Sequence, residues 1–313
     1  MSKKTPSSGT QVKTRGMNPK VKHAWLDFSF VVPAIVLLAI FTYYPIAEVI
    51  RISFTNWDLL KPEYDYVGFK NYKWLLTGTG GKYFMNSLKV TLIYTVGEIA
   101  ITVVGGILFA LLFNRPGSKG YTFMRVLTFT PRYIAMSSAA VVFLWLYDET
   151  YGIFNYFLGM IGAEPIRWLQ DKYMAMVSIL LLTGWRAIGY GMMIYLANMR
   201  SIPETYYEAA SLDGANGVQK FFGITLPLLA PTTVFLLVTT FISSMKVFQS
   251  VDVLTGGGPS RATEVLVYLV YNYAMNKFRM DQACTIALAL FAFLLLVTVA
   301  TMKISDNKVN YDA

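Results

Sequence analysis

Six long apolar runs limit what this 313-residue chain can fold into: Phe28 to Ile50, Ser87 to Phe113, Met124 to Tyr147, Met174 to Asn198, Leu226 to Phe248 and Cys284 to Ile304. A hydrocarbon core roughly 30 Å thick is crossed by a helix of about 20 residues, and each run is long enough. Backbone polar groups find no water there, so the spans are expected to be helices, with Pro33, Pro45, Pro131 and Pro231 read as kinks or ends. The expected fold class is an all-α membrane protein of six transmembrane helices. Composition agrees, because 55% apolar, 15% aromatic and 14% charged residues exclude an ordinary water-soluble enzyme and a disordered chain. One Cys (Cys284) and one His (His23) exclude a disulfide scaffold, a zinc cluster and a Ser-His-Asp site, so no catalytic residue, cofactor or metal is expected.

Lys3, Lys4, Lys13, Arg15, Lys20 and Lys22 precede the first run, which places that end in the cytoplasm. The first run is too long for a secretory signal. Six crossings then put both termini inside, the loops 51–86, 148–173 and 249–283 outside, and the loop 199–225 in the cytoplasm. The expected organisation is a disordered basic tail at 1–26, a six-helix domain at 27–305 and a short cytoplasmic tail at 306–313. The net charge of +9 reports this topology rather than nucleic-acid binding. Gly78-Thr79-Gly80-Gly81-Lys82 lacks the spacing of a P-loop and reads as a flexible outer-face turn. Any uphill transport therefore draws its energy from a gradient or from another subunit.

The loop 199–225 holds the most specific pattern. Ser201 and Glu204 have capping-box spacing, Gly214 breaks the helix they open, and Val218 to Ile224 suit a second short helix. The product is a compact knob with Glu208 and Asp213 offering charge to a basic partner. The register Glu208-Ala209-Ala210, Asp213-Gly214-Ala215, Phe221, Ile224, Leu226-Pro227 and Pro231 resembles the EAA loop of membrane subunits of binding-protein-dependent ABC importers. Pro33, Tyr44-Pro45, Ser53-Phe54, Val67-Gly68-Phe69, Asn71-Tyr72 and Thr255-Gly256-Gly257-Gly258-Pro259 resemble the sugar-permease branch.

This resemblance implies a type I ABC importer permease fold in a bacterial plasma membrane. It implies a second homologous permease, an ATPase dimer gripping Glu208, Ala209, Ala210, Asp213, Gly214, Ala215, Leu226 and Pro227, and an extracellular binding protein docking on loops that include Thr255 to Pro259. It also implies a carbohydrate pocket near mid-membrane, carried onto Thr183, Arg186, Tyr190, Thr240, Ser244 and Val247. Independently of the resemblance, Thr183, Arg186 and Tyr190 share one helix face, as do Thr240, Ser244 and Val247. A charge such as Arg186 within a span is a functional candidate.

Competing structural readings exist for each. Glu208 could pair locally on a solvated helix, the hydroxyls could bond between helices, and Arg186 could pair with Glu98. Trp145, Trp185, Lys246 and Gln249 rank lower as pathway residues. Arg132 together with Arg186 would suit an anionic cargo such as a sugar acid or glycerol phosphate. An ion-coupled secondary transporter would use Glu98, and a non-transporting scaffold would leave the EAA register unexplained.

Overall fold

The computed structural model describes residues 19–115 and 117–308. Most of the expected basic tail, residues 1–18, lies outside the described residues, as does the C-terminal stretch after Lys308. The chain divides into two compact units between Arg51 and Ile52.

The first unit is a single long helix. It begins as α1 (Pro19–Leu38), upstream of the expected start at Phe28, passes through one π turn at Ala39–Tyr43 and continues as α2 (Tyr44–Ser53). The π turn precedes Pro45, whose ring would otherwise meet the carbonyl four residues back, and the wider turn makes room for it.

The second unit contains α3 (Lys70–Thr77), α4 (Thr79–Ala100), α5 (Gly106–Phe113), α6 (Lys119–Phe129), α7 (Met136–Leu146), α8 (Ile153–Met160) and α9 (Lys172–Met199). There follow α10 (Glu204–Leu212), α11 (Gly217–Lys220), α12 (Leu226–Leu228), α13 (Ala230–Ser244), α14 (Gln249–Leu254), α15 (Leu266–Tyr271) and α16 (Met280–Lys308). Among the described residues four helices are long and apolar enough to cross a membrane: Phe30–Ser53, Thr79–Phe113, Lys172–Met199 and Met280–Thr301. Two bent pairs complete the expected six, Lys119–Tyr133 with Met136–Leu146 at 104° and Gly217–Leu228 with Ala230–Ser244 at 62°.

The third span breaks where Pro131 was read as a kink or end: after it the chain leaves helical geometry at Ile134 and Ala135 before α7 restarts it. One expectation is corrected here. The stretch Gly78 to Lys82 is not a flexible turn, because Thr79 opens α4. Gly80 lies so close to the Trp74 ring that a Cβ there would come within 2.5 Å of it.

Packing explains where the polar residues end up. One apolar cluster joins Tyr94, Ala140, Tyr147, Ile179, Leu182 and Val251. A second joins Ile107, Ala110, Met192, Tyr195, Leu229 and Leu236. Helix α9 contributes to both, and between its two apolar stretches stand Thr183, Arg186 and Tyr190. Asp171 starts α9 by accepting hydrogen bonds from the Tyr173 and Met174 N–H groups at 2.8 and 2.9 Å. Those donors hold its carboxyl below the usual carboxylate range.

Spans two and four approach to backbone contact. A Cβ on Gly191 would lie 2.2 Å from the Thr102 carbonyl, and one on Gly106 2.8 Å from the Gly191 backbone. Small residues permit such an approach, and dispersion between the close backbones replaces a hydrophobic drive that lipid cannot supply.

A compact cap gathers residues after the first span with those before the last. Asn71 donates to the Ser53 and Thr55 carbonyls, Tyr72 meets Ser53, and the Phe54 ring packs against Tyr66, Phe69 and Tyr72. Asp281, fully buried, is paired with Arg279 at 2.8 Å. Its hydrogen bond raises the Arg279 guanidinium above its ordinary value, while burial and then nearby Arg261 lower the Lys277 ammonium.

Candidate functional site: a polar cavity pair and an exposed knob

Between the two apolar clusters lie two polar cavities. The larger, about 470 Å³, has Tyr94, Glu98, Thr183, Arg186, Ser244 and Val247 in its lining. The smaller, about 120 Å³, has Thr102, Tyr190, Thr239 and Thr240. Glu98, Arg132, Ala187 and Ser243 face both. All six residues expected in a cargo pocket thus line this pair, four in the larger cavity and Tyr190 with Thr240 in the smaller. Along α9 and α13, the smaller cavity lies nearer to the loop 199–225. Of the lower-ranked residues, Lys246 and Gln249 line the larger cavity, whereas Trp185 lines an apolar groove outside it.

The partners of these side chains separate their chemistry. Thr183 donates to the buried Glu98 carboxylate at 2.7 Å. Ser244 donates to Thr95 at 3.1 Å, an interhelical bond that gives it a structural job at the cavity wall. Arg186 does not pair with Glu98. Its Nε donates to the Pro131 carbonyl at 3.3 Å and its Nη2 to the Arg132 and Ile134 carbonyls at 3.2 and 2.8 Å. Arg132 lies over the Tyr190 ring, 4.8 Å from its centre, a favourable stack for a cation.

Tyr94 and Thr102 escaped the sequence reading, although they flank Glu98 at four-residue spacing and so share its helix face. Ser243, Phe248 and Ser250 were also missed, and their place depends on how α13 rotates toward α9. Among the described residues no group of three or more His, Cys, Asp or Glu side chains comes together to hold a metal ion.

The knob is built as a helix, a glycine bend and a helix. Its opening differs from the expected capping box: Pro203 precedes α10 without a side-chain cap, and Ser201 instead donates to the Asn198 carbonyl at 2.8 Å. Ser201 is still bound to the end of α9, so it is unavailable to α10. The capping box occurs one helix later, where Asn216 and Gln219 exchange bonds at 2.8 and 2.9 Å.

Gly214 carries the bend at φ +78°. Around it, the Gly214 N–H reaches the Ser211 carbonyl at 3.1 Å and the Ala215 N–H the Ala210 carbonyl at 2.9 Å, which is the Schellman pattern. Tyr207 meets Thr225 at 2.9 Å and ties α10 to the start of the fifth span. Another π turn, Phe221–Thr225, precedes Pro227 and Pro231. Glu208, Ala209, Asp213 and Gly214 are exposed. Glu208 belongs to none of the four ion pairs among the described residues. Leu212, at 90% exposure, and Val218 and Phe222 are exposed as well.

The stretch Thr255 to Pro259 is a braced turn. Gly256 and Gly257 have positive φ, Thr255 meets Thr263 at 2.7 Å, and Thr263 donates to the Gly258 carbonyl at 2.6 Å. Gly256 is exposed and Gly257 is buried against Tyr268.

Comparison with known proteins agrees with this architecture. The family model described as binding-protein-dependent transport system inner membrane component matches residues 102–311. The chain is 32% identical over 287 residues to the sn-glycerol-3-phosphate transport system permease protein UgpA of Rhizobium meliloti, covering 91% of this chain and 96% of that one. It is 32% identical over 294 residues to the multiple sugar-binding transport system permease protein MsmF of Streptococcus mutans, covering 92% and 98%. A chain of a bacterial ABC transporter involved in the import of the acidic polysaccharide alginate shares its fold, with a TM-score of 0.82 at 23% identity over 93% of this chain and 99% of that one. With its helical spans, its knob and a family match over most of its length, the chain belongs to the inner membrane components of binding-protein-dependent transport systems, as a multi-pass permease subunit.

Proposed function

We propose that this subunit forms half of the translocation pore of an ATP-driven carbohydrate importer and performs no covalent chemistry itself. Both termini are cytoplasmic, a second homologous permease completes the pore, and an ATPase dimer grips the knob through Glu208, Ala209, Ala210, Asp213, Gly214, Ala215, Leu226 and Pro227. An extracellular binding protein delivers cargo near the Thr255–Pro259 turn. The observation that carries this reading is the construction of the knob: folded through its own hydrogen bonds, exposed, bearing a Glu208 in none of the ion pairs, and following in the chain on α9 and preceding α13, the two helices that line both cavities. A push on the knob is thereby passed to the helices that form the cavity walls.

The cavity chemistry supports a neutral sugar. Hydroxyls, a carboxylate and a tyrosine ring suit sugar hydroxyls and ring faces. Glu98 offsets one cation, and backbone carbonyls already take three of the five Arg186 donors. The substrate-pathway residues are Thr183, Arg186, Tyr190, Thr240, Ser244 and Val247, of which Tyr190 and Thr240 offer groups to cargo directly.

Uptake of a panel of labelled neutral and anionic saccharides by cells carrying the complete transporter tests this. Uptake is expected to stop on ATP depletion and to persist when the membrane potential is collapsed, and the opposite pattern would mark an ion-coupled carrier. Glu208→Lys and Gly214→Pro are expected to abolish uptake with the subunit still inserted, whereas wild-type uptake in both removes the coupling role.

A further inference from the structure

We propose that Arg186 is a positioning residue: it ties off the break in the third span and thereby holds Arg132 over Tyr190 as the partition between the two cavities. The break of 104° between Tyr133 and Met136 takes carbonyls out of the helical ladder at membrane depth, where each needs a donor from elsewhere. Arg186, more than fifty residues along the chain, supplies such bonds to the Arg132 and Ile134 carbonyls, adds one to the Pro131 carbonyl that already accepts from the Ile134 N–H, and its Nη1 reaches the Met136 sulfur at 3.5 Å. A guanidinium can do this because it carries five donors in a fixed planar fork. An ammonium is one point and cannot span the break.

Anchoring the Arg132 carbonyl fixes where the Arg132 side chain leaves the backbone. That side chain lies over Tyr190 at 4.8 Å, and Arg132 faces both cavities while Tyr190 faces only the smaller. The stacked pair thus stands where the larger cavity would otherwise open toward the knob. Arg186 acts on passage through Arg132, since four of its five N–H groups are turned to the break in the third span. The inference rests on the reading of the cavities as the cargo route only for its significance, since the partition itself is measurable without cargo.

Thr239 lines the smaller cavity and half-buried Tyr190 stands beside it, so a cysteine placed there reports on the partition. Membrane vesicles holding the assembled transporter with Thr239→Cys are treated with a membrane-impermeant maleimide from each side in turn. The buried native Cys284 serves as an internal control. From the side of the larger cavity, labelling at 239 is expected to rise at least tenfold in Arg186→Gln, in Arg132→Ala and in Tyr190→Ala. Arg186→Lys is expected to match Arg186→Gln, and the Arg186→Gln/Arg132→Ala double variant to label no faster than either single one.

Labelling of Cys284 together with position 239 would mean that Arg186 merely holds the fold, and would overturn the proposal. So would wild-type labelling in Arg186→Gln, or rates that multiply in the double variant. Should Arg186→Gln fail to insert, Tyr190→Ala keeps the clamp intact, and unchanged labelling there overturns the partition. None of these results depends on which cargo the transporter accepts, so a failed uptake screen and a failed partition remain distinct outcomes.

Discussion

Asn71 shows how one buried amide can organise a region. It donates to the Ser53 carbonyl at 2.9 Å and the Thr55 carbonyl at 2.7 Å, joining two stretches that the chain separates. Replacement by leucine removes the donor to the Thr55 carbonyl and leaves the Ser53 carbonyl the longer Thr285 bond at 3.5 Å, and the expected cost is about 2 kcal/mol, read as a lowered thermal midpoint of the detergent-solubilised complex. Asp171 gives a pH-dependent counterpart. Its carboxyl is held below its ordinary 3.8 by the helix-start N–H groups, so its contribution is complete above that value and is lost as pH falls below it. Asp171→Asn keeps the cap but cannot titrate, so its unfolding midpoint is expected to fall less than the wild type's between pH 5 and pH 3 (roughly the span of that titration). An equal fall in both would exclude this role. At this scale the sequence identified which residues were unusual but not what they do. Arg186 stood out as a charge in a span, yet its partners lie at Pro131, Arg132 and Ile134, and only folding brings those carbonyls to it.

The elements are governed by a few small or ring-closed residues. Proline and glycine explain the bends: π turns precede Pro45 and Pro227, and Gly214 takes a left-handed conformation that other residues adopt only with strain. The knob was legible because it is a contiguous stretch whose bends are carried by its own residues. Its capping was placed one helix too early because Pro203, not Ser201, precedes α10. Asn216→Ala removes the capping box that does form, and is expected to cost about 1 kcal/mol and to lower uptake at unchanged membrane abundance. Unchanged uptake would show that α11 plays no part in coupling. Where spans two and four touch, Gly191→Ala places a methyl against the Thr102 carbonyl. A loss of about 3 kcal/mol is expected, seen as lowered thermal stability and poor assembly of the complex. A tolerated alanine would mean that the two helices can separate without consequence.

At the scale of the whole molecule, spans two and four run in the same direction, so the knob, which follows span four, and the cap around Asn71, which precedes span two, sit at opposite ends of them. Cysteines replacing Ser211 in the knob and Glu63 in the cap region, both exposed, are expected to label with an impermeant maleimide from opposite sides, Ser211→Cys from the cytoplasm. Labelling of both from one side would overturn the six-span topology. Many large apolar side chains remain exposed, including Phe291, Leu295, Leu296 and Val299 on the last span. In a membrane protein they are surfaces for lipid rather than defects of packing.

The number, position and helical nature of the spans followed from sequence alone, because a helix in lipid satisfies its own backbone and its apolar length is a property of consecutive residues. The helix, glycine bend and helix of the knob followed for the same reason, being local. Tertiary structure alone decided the division of the polar interior into two cavities and the attachment of Arg186 to carbonyls 52 to 55 residues away. Each of these depends on how separate helices rotate and slide against one another. That register is set by the glycine contacts between spans two and four and by the apolar clusters on either side of the cavities, which no single stretch of sequence contains.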